Sequence, residues 1–267
     1  MRTTKFLLVL AAGVLTLAYA YVYEQEPVSA LWSEAALGFI YTLAAALAAA
    51  LMAAVSSQFE PDEPAGRIWR FFMWGLWMWA LAEAVWGLYP VVSGEAPLVS
   101  VADLFWVGGY VWFAAALLHQ YRMVHGADGG WGLRHVALVA AGIVALSALL
   151  AFPLASLQED GEGWLSVFLN VFYPLGDAAL AVGAWSIARL FRGGRWARPW
   201  LALLAFVVAD AFYTFLLITG LYSFEGNLPS LLADLLYLDA YLFLALVIYD
   251  HLEMLRRGIP LRVASGQ

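Results

Sequence analysis

Six of the twenty Asp and Glu residues of this 267-residue chain, Glu83, Asp103, Asp177, Asp210, Asp234 and Asp239, fall inside stretches apolar enough to cross a membrane, whereas its thirteen Lys and Arg residues all lie in the terminal turns of such stretches or outside them. An ionised Asp facing lipid at the centre of a span costs about 2.5 to 3.5 kcal/mol even on the lenient insertion scale, so the six must point into a helical bundle. Three things can relieve them there: protonation, hydrogen bonds from Tyr, Trp, Ser or Thr, or a cation that enters from outside. A salt bridge within the chain is excluded by the absence of an embedded base. The single lysine, Lys5, stands outside the spans, which also excludes a retinal Schiff base of rhodopsin type.

Aromatic residues accompany these acids at helical spacing. Trp86 follows Glu83 and Tyr213 follows Asp210 at i+3, while Trp106 and Tyr110 follow Asp103, and Tyr237 and Tyr241 follow Asp234, at i+3 and i+7. Each set shares one helix face. A phenol or indole hydrogen can reach a neighbouring carboxylate, and an aromatic face attracts a cation. Packing and interfacial anchoring are the competing account of any single ring.

The elements that must carry these residues follow from composition. With 64% hydrophobic residues, 12% charged and a mean hydropathy of +0.79, the chain holds more apolar surface than a soluble domain could hide. At about 20 residues per span, eight stretches qualify, near 6–22, 31–55, 68–89, 99–121, 136–152, 164–190, 200–221 and 231–249. The expected fold is therefore all-α, a polytopic membrane bundle of eight transmembrane helices. It divides into a first span with its outer loop (1–30), the bundle (31–257) and a short tail (258–267).

An even number of spans puts both termini on one side, and the basic residues near span ends mark that side as cytoplasmic. Arg2, Lys5, Arg67, Arg70, Arg122, Arg134, Arg189, Arg192, Arg195, Arg198, Arg256, Arg257 and Arg262 all fall there. The opposite loops hold only acids: Glu24, Glu26, Glu34, Glu95, Glu159, Asp160, Glu162 and Glu225. The expected location is the inner membrane of a bacterium, multi-pass, with lipid as the surrounding partner. The first span also reads as a signal peptide, with Ala18-Tyr19-Ala20 as a small-x-small cleavage site; an uncleaved anchor is the favoured reading. The absence of Cys excludes disulfides, thiolate nucleophiles and cysteine metal sites, and no basic, aromatic-interleaved patch suggests nucleic acid.

The chain also resembles itself. Ala82-Glu83-Ala84-Val85-Trp86 matches Ala209-Asp210-Ala211-Phe212-Tyr213, and Ala102-Asp103-Leu104-Phe105-Trp106 matches Ala233-Asp234-Leu235-Leu236-Tyr237, with Tyr110 matching Tyr241 beyond. This implies parallel helical-hairpin repeats near 68–122 and 200–252. Gly176-Asp177 suggests a weaker third copy in the fifth and sixth spans. Pro174 removes the hydrogen bond to the Asn170 carbonyl and predicts a kink one turn before Asp177. At about 1.5 Å per residue, Asp103, Asp234 and Glu83 stand roughly 5 to 10 Å below the outer boundary and Asp177, Asp210 and Asp239 nearer the midplane, so all six could line one outward-facing cavity.

At the cytoplasmic face, His119, His135, His251 and Asp250 offer a weaker zinc-type alternative, with His125 in a glycine-rich loop nearby. The turn around Arg192 and Arg195, with Arg189 and Arg198, enforces orientation and suits anionic lipid headgroups.

As a set, the motifs around Trp79 to Trp86, Pro97 to Tyr110, Tyr173 to Asp177, Ala209 to Tyr213 and Leu231 to Tyr237 resemble the multi-span amino-terminal sensory regions of bacterial GGDEF/EAL cyclic-di-GMP proteins and of some histidine kinases. The resemblance implies an input module whose last helix passes a signal inward; it lends a role and no substrate. Those proteins continue into an output domain, so this chain is expected to signal through a partner in trans.

The sequence reading is thus a sensory or ligand-binding module whose acids and aromatics form a pocket for a cation, proton or amine-bearing ligand. It expects no cofactor beyond such a bound cation and no catalytic residue. A cation- or proton-coupled transporter, an accessory subunit of a larger complex, an intramembrane enzyme built on the histidines, and carboxylates that merely hold the bundle together remain open.

Overall fold

The computed structural model describes residues 2–26, 29–60, 62–94, 97, 99–125, 142, 145–147, 149, 163–191, 194–223 and 226–258. Its elements are helices α1 (Arg2–Gln25), α2 (Ala30–Ser56), α3 (Pro64–Ser93), α4 (Val101–His125), α5 (Trp164–Leu190), α6 (Arg198–Ile218) and α7 (Leu228–Arg256), with a short 3₁₀ turn, Arg195–Ala197, leading into α6. All seven helices are long and apolar enough to cross a membrane, which makes this a multi-pass helical membrane protein. The expected span at 136–152 lies almost wholly outside the described residues. So do His135, the side chain of His125, the acids Glu95, Glu159, Asp160, Glu162 and Glu225, the bases Arg134, Arg192 and Arg262, and most of the tail.

Helix ends follow local chemistry. Proline stands in the first turn of α3, α6 and α7, where its missing N–H costs nothing. The Asn227 side chain caps α7 by accepting from Ser230 N at 2.7 Å. Gly94 and Gly258, at φ +83° and +62°, end α3 and α7 in the left-handed region.

Apolar side chains gain nothing by leaving lipid, so close packing has to hold the bundle. Along α2 the buried face is Ala44, Ala45, Ala48, Ala49 and Met52, small enough for α3 to approach. At the tightest point Gly38 meets Gly87, and a Cβ on Gly38 would stand 2.6 Å from the Gly87 Cα. Helix α3 is central, touching α2, α4, α6 and α7. Around it Trp69, Phe72, Trp79, Phe113, Trp200 and Phe206 form a fully enclosed aromatic stack, with ring centroids 4.7 Å apart for Trp79–Phe206 and 5.6 Å for Phe72–Trp200.

Contacts along each pair fix relative direction. Lys5 meets Asp250, Thr16 meets Asp239 and Tyr23 meets Asn227, so α1 runs antiparallel to α7. Asp103 meets Tyr173, Tyr110 meets Asp177 and Leu117 meets Gly183, so α4 and α5 run parallel. Every described basic residue consequently gathers at one end of the bundle.

Helices α2 to α4 and α5 to α7 form two similar units. Each first helix packs on its own hairpin and on the hairpin of the other unit, α2 against α3 and α7, α5 against α6 and α4. Trp79 and Phe206, equivalent positions in the two hairpins, touch at the centre. In these contacts α5 stands to α6 and α4 as α2 stands to α3 and α7.

Candidate functional site

The embedded acids are met by phenols contributed from other helices. Tyr110 on α4 lies with its hydroxyl 2.6 Å from Asp177 Oδ1 on α5 and 2.8 Å from Asp210 Oδ2 on α6. Gly176 makes room for that ring, since a Cβ there would stand 2.8 Å from Tyr110 Cε1. Helix α5 continues through Pro174 without a break and delivers Asp177 almost fully enclosed, 2% exposed.

Glu83 on α3 is 5% exposed. Its Oε1 accepts from Tyr237 at 3.0 Å and Tyr241 at 2.9 Å, both on α7, and the two phenols stand 3.2 Å apart. Trp106 turns its indole N–H toward the same carboxylate without closing a well-formed hydrogen bond, and its backbone carbonyl accepts from Trp79 Nε1 at 2.9 Å. Asp210 is near enough to Glu83 for their charges to interact, so the two groups form one electrostatic cluster.

Proton counting gives this cluster its character. The Tyr110 hydroxyl has one hydrogen and two carboxyl neighbours, so both contacts close only when one carboxyl holds a proton as well. Asp177 Oδ2 is enclosed with no donor, and Asp210 is its immediate electrostatic neighbour. A buried acceptor of this kind is costly unless a proton or cation satisfies it.

Two further acids stand closer to the end of the bundle opposite the basic residues. Asp234, 3% exposed, accepts from Tyr222 at 3.0 Å, and its backbone carbonyl accepts from Tyr41 at 2.8 Å. Burial, with Tyr213 and Asp234 beside it, pushes the Tyr222 phenol well above its ordinary range, so it remains a donor. Tyr213 completes this group by packing on Tyr222 and Tyr237 at 4.9 and 5.8 Å.

Asp103 accepts from Tyr173 at 2.5 Å and sits in the first turn of α4, at the very start of the span. Its Oδ2 takes the Ser100 backbone N–H at 2.7 Å while Ser100 Oγ takes the Ala102 N–H at 3.1 Å. This is a reciprocal cap with Asp in the place usually held by Glu or Gln, so helix initiation explains much of what Asp103 does.

The structure therefore brings together Glu83, Asp177 and Asp210 with Tyr110, Tyr237, Tyr241 and Trp106, and places Asp234 with Tyr213, and Asp103, nearer the end opposite the basic residues. Trp86 is half-buried and packs on Trp106 and Tyr89 at 5.6 and 6.2 Å. Asp239 does not join the cluster. Two residues beyond Tyr237, it is turned by about 200° around the helix, lies exposed, and accepts from Thr16 of α1 at 2.6 Å.

Sequence reasoning missed Tyr173, Tyr222, Tyr41 and Thr16 as partners. Tyr173 was visible only as the residue four before Asp177, and Tyr222 lies in a loop where periodicity gives no signal.

The zinc-type alternative gains no support. Among the described residues no three His, Asp or Glu side chains gather as metal ligands. His119 Nδ1 pairs with the Ala115 carbonyl at 2.9 Å, His251 is packed between Trp69 and Trp196 at 4.6 and 5.1 Å, and Asp250 holds Lys5 at 2.7 and 2.9 Å. Ion pairs among the described residues all lie at the basic end, and none reaches the acid cluster.

No family model matches this chain, and no curated protein or solved structure matches it.

Proposed function

We propose that this chain is a bacterial inner-membrane sensory or ligand-binding module in which Tyr110, Asp177 and Asp210 take up a proton, a small cation or an amine-bearing group from the outer side. The observation that carries the reading is the enclosed Asp177 Oδ2 with no donor, beside a second carboxyl and a phenol that can serve only one of the two. The three groups come from three helices, so occupancy changes how α4, α5 and α6 are held together. A ligand preferring one packing of those helices shifts the balance between packings, which is what a partner in trans would read.

The reading includes eight spans with both termini cytoplasmic. Parallel α4 and α5 require the chain between them to return along the bundle, and antiparallel α1 and α7 require the same odd crossing; both support a span at 136–152. The gathering of Lys and Arg at one end supports that end as the cytoplasmic one.

Below the cluster, the aromatic stack from Trp79 to Trp69 carries no acid and is closed to solvent, which favours a sensor over a carrier. Thermal stability of the purified protein in detergent, titrated with sodium, potassium and ammonium ions at fixed pH, tests the reading. Saturable stabilisation that disappears in Asp177→Asn and Asp210→Asn is expected. Identical curves in wild type and both variants would overturn it, and ion flux into proteoliposomes would replace the sensor by a carrier.

A further inference from the structure

At the basic end, a cleft of about 360 Å³ opens between the first turns of α1 and the last turns of α7. Its rim is charged: Lys5 and Arg257 stand on the two helices, and Arg195 comes from the 3₁₀ turn. Phe6 and Met254 follow directly beneath the rim and Val9 and Tyr249 lie about one turn deeper, which makes the walls apolar. Phe6 is 64% and Val9 49% exposed on this side of α1, although both belong to a span.

The rim cations are not equally committed. Lys5 is closed onto Asp250 at 2.7 and 2.9 Å. Arg257 approaches Glu253 at 3.7 Å. Arg195 is exposed and has no ion-pair partner among the described residues. With Asp250 and Glu253 included, the lining keeps one positive charge in excess, and it is Arg195 that supplies it.

We propose that this cleft binds one anionic phospholipid, with its phosphate at Arg195 between Lys5 and Arg257 and the upper part of an acyl chain along Phe6, Val9 and Tyr249. Charge and depth together select this occupant. A basic rim at the level of the headgroups attracts an anionic lipid, and the apolar floor one turn further in has no use for a free anion. The inference rests on the reading that this end of the bundle faces the cytoplasmic leaflet, and it assigns α1 a role: the helix is held to α7 by its polar contacts, and a lipid fills the wedge left between them.

The test uses the full chain, delipidated in detergent, with bound lipid counted by native mass spectrometry and stability followed by thermal melting. Phosphatidylglycerol, phosphatidylcholine of the same chains and inorganic phosphate are the three probes. One phosphatidylglycerol is expected to be retained, about fivefold more tightly than phosphatidylcholine. Arg195→Gln removes that preference, whereas Arg122→Gln, at the same end on α4, preserves it. Val9→Trp fills the floor without changing charge and lowers retention of both lipids. Equal losses in Arg195→Gln and Arg122→Gln, full retention in Val9→Trp, or stabilisation by phosphate alone equal to that by lipid would each overturn the proposal. Asp177→Asn leaves lipid retention unchanged, so the outcome is separable from that at the acid cluster.

Discussion

Tyr110 and Tyr241 occupy equivalent positions in the two hairpins, and each donates to the acid of the other: Tyr110 to Asp210, and Tyr241 to Glu83, itself the equivalent of Asp210. The exchange locks α3–α4 to α6–α7 through two crossed hydrogen bonds around the Trp79–Phe206 contact. The halves differ in what surrounds each acid. Glu83 has a second phenol, Tyr237, and the indole of Trp106, which matches Tyr237 in the first hairpin, also turns toward Glu83, whereas Asp210 has a second acid, Asp177. One half is closed by donors and the other is left short of them.

That difference orders the effects of removing the two hydroxyls. Tyr110→Phe strips both Asp177 and Asp210 of their shared donor, while Tyr241→Phe leaves Glu83 with Tyr237. At about 0.6 kcal/mol for an average interhelical hydrogen bond and at most about 1.7 kcal/mol, Tyr110→Phe is expected to cost more stability, and only Tyr110→Phe to alter cation binding. Equal melting shifts in the two variants would contradict the asymmetry.

Proton counting also fixes the sign of a pH effect. Closing both Tyr110 contacts needs one proton on a carboxyl, a proton that an unfolded chain releases at neutral pH. A folded state that binds more protons than the unfolded one gains stability as the pH falls. Wild type should therefore melt higher at pH 5.5 than at pH 7.5. Asp210→Asn supplies an amide hydrogen in that place and should flatten the profile; a profile as steep as wild type would show that the proton resides elsewhere.

Asp103 and Asp234, although matched in sequence, should respond differently. Helix α7 starts about one turn earlier relative to the motif than α4 does, so Asp234 lies inside its helix and Asp103 at the start of one. Asp103→Ala is expected to cost about 0.5 to 2 kcal/mol as the loss of a cap and to leave cation affinity intact. Asp234→Asn, which keeps an acceptor for Tyr222, should melt close to wild type. Circular dichroism melts with parallel cation titrations decide the matter.

Asp239 should prove a tether for α1. Thr16→Val or Asp239→Leu is expected to loosen α1 without touching the cluster, read as faster protease cleavage in the α1–α2 connection at unchanged cation affinity. Loss of cation binding in Asp239→Leu would return this residue to the site.

The helices and the acids were legible in the sequence because both are written locally: apolar length gives a span, and i, i+3, i+7 spacing gives a face. Pairing across helices is not written that way. Asp103, Asp234 and Asp239 look alike as isolated acids in an apolar run, yet one caps, one receives a loop tyrosine and one turns outward to Thr16. What separated them was the register at which each helix begins and the neighbour that rotation presents. The internal repeat showed that Glu83 and Asp210 correspond, but not that their phenols are exchanged, since that depends on how the two hairpins face each other.

The crossed pairing of the two hairpins has an evolutionary consequence. A shorter ancestor that met an identical molecule face to face would have made both phenol–carboxyl bonds by symmetry, and joining two such genes end to end would yield the present arrangement. Tyr41 on α2 and Tyr173 on α5 are placed alike, the first donating to the Asp234 backbone carbonyl and the second to the Asp103 carboxylate. Asp177 has no counterpart among the acids of α2, and an arrangement of two equal halves would have lacked the carboxyl pair that sets Asp210 apart from Glu83.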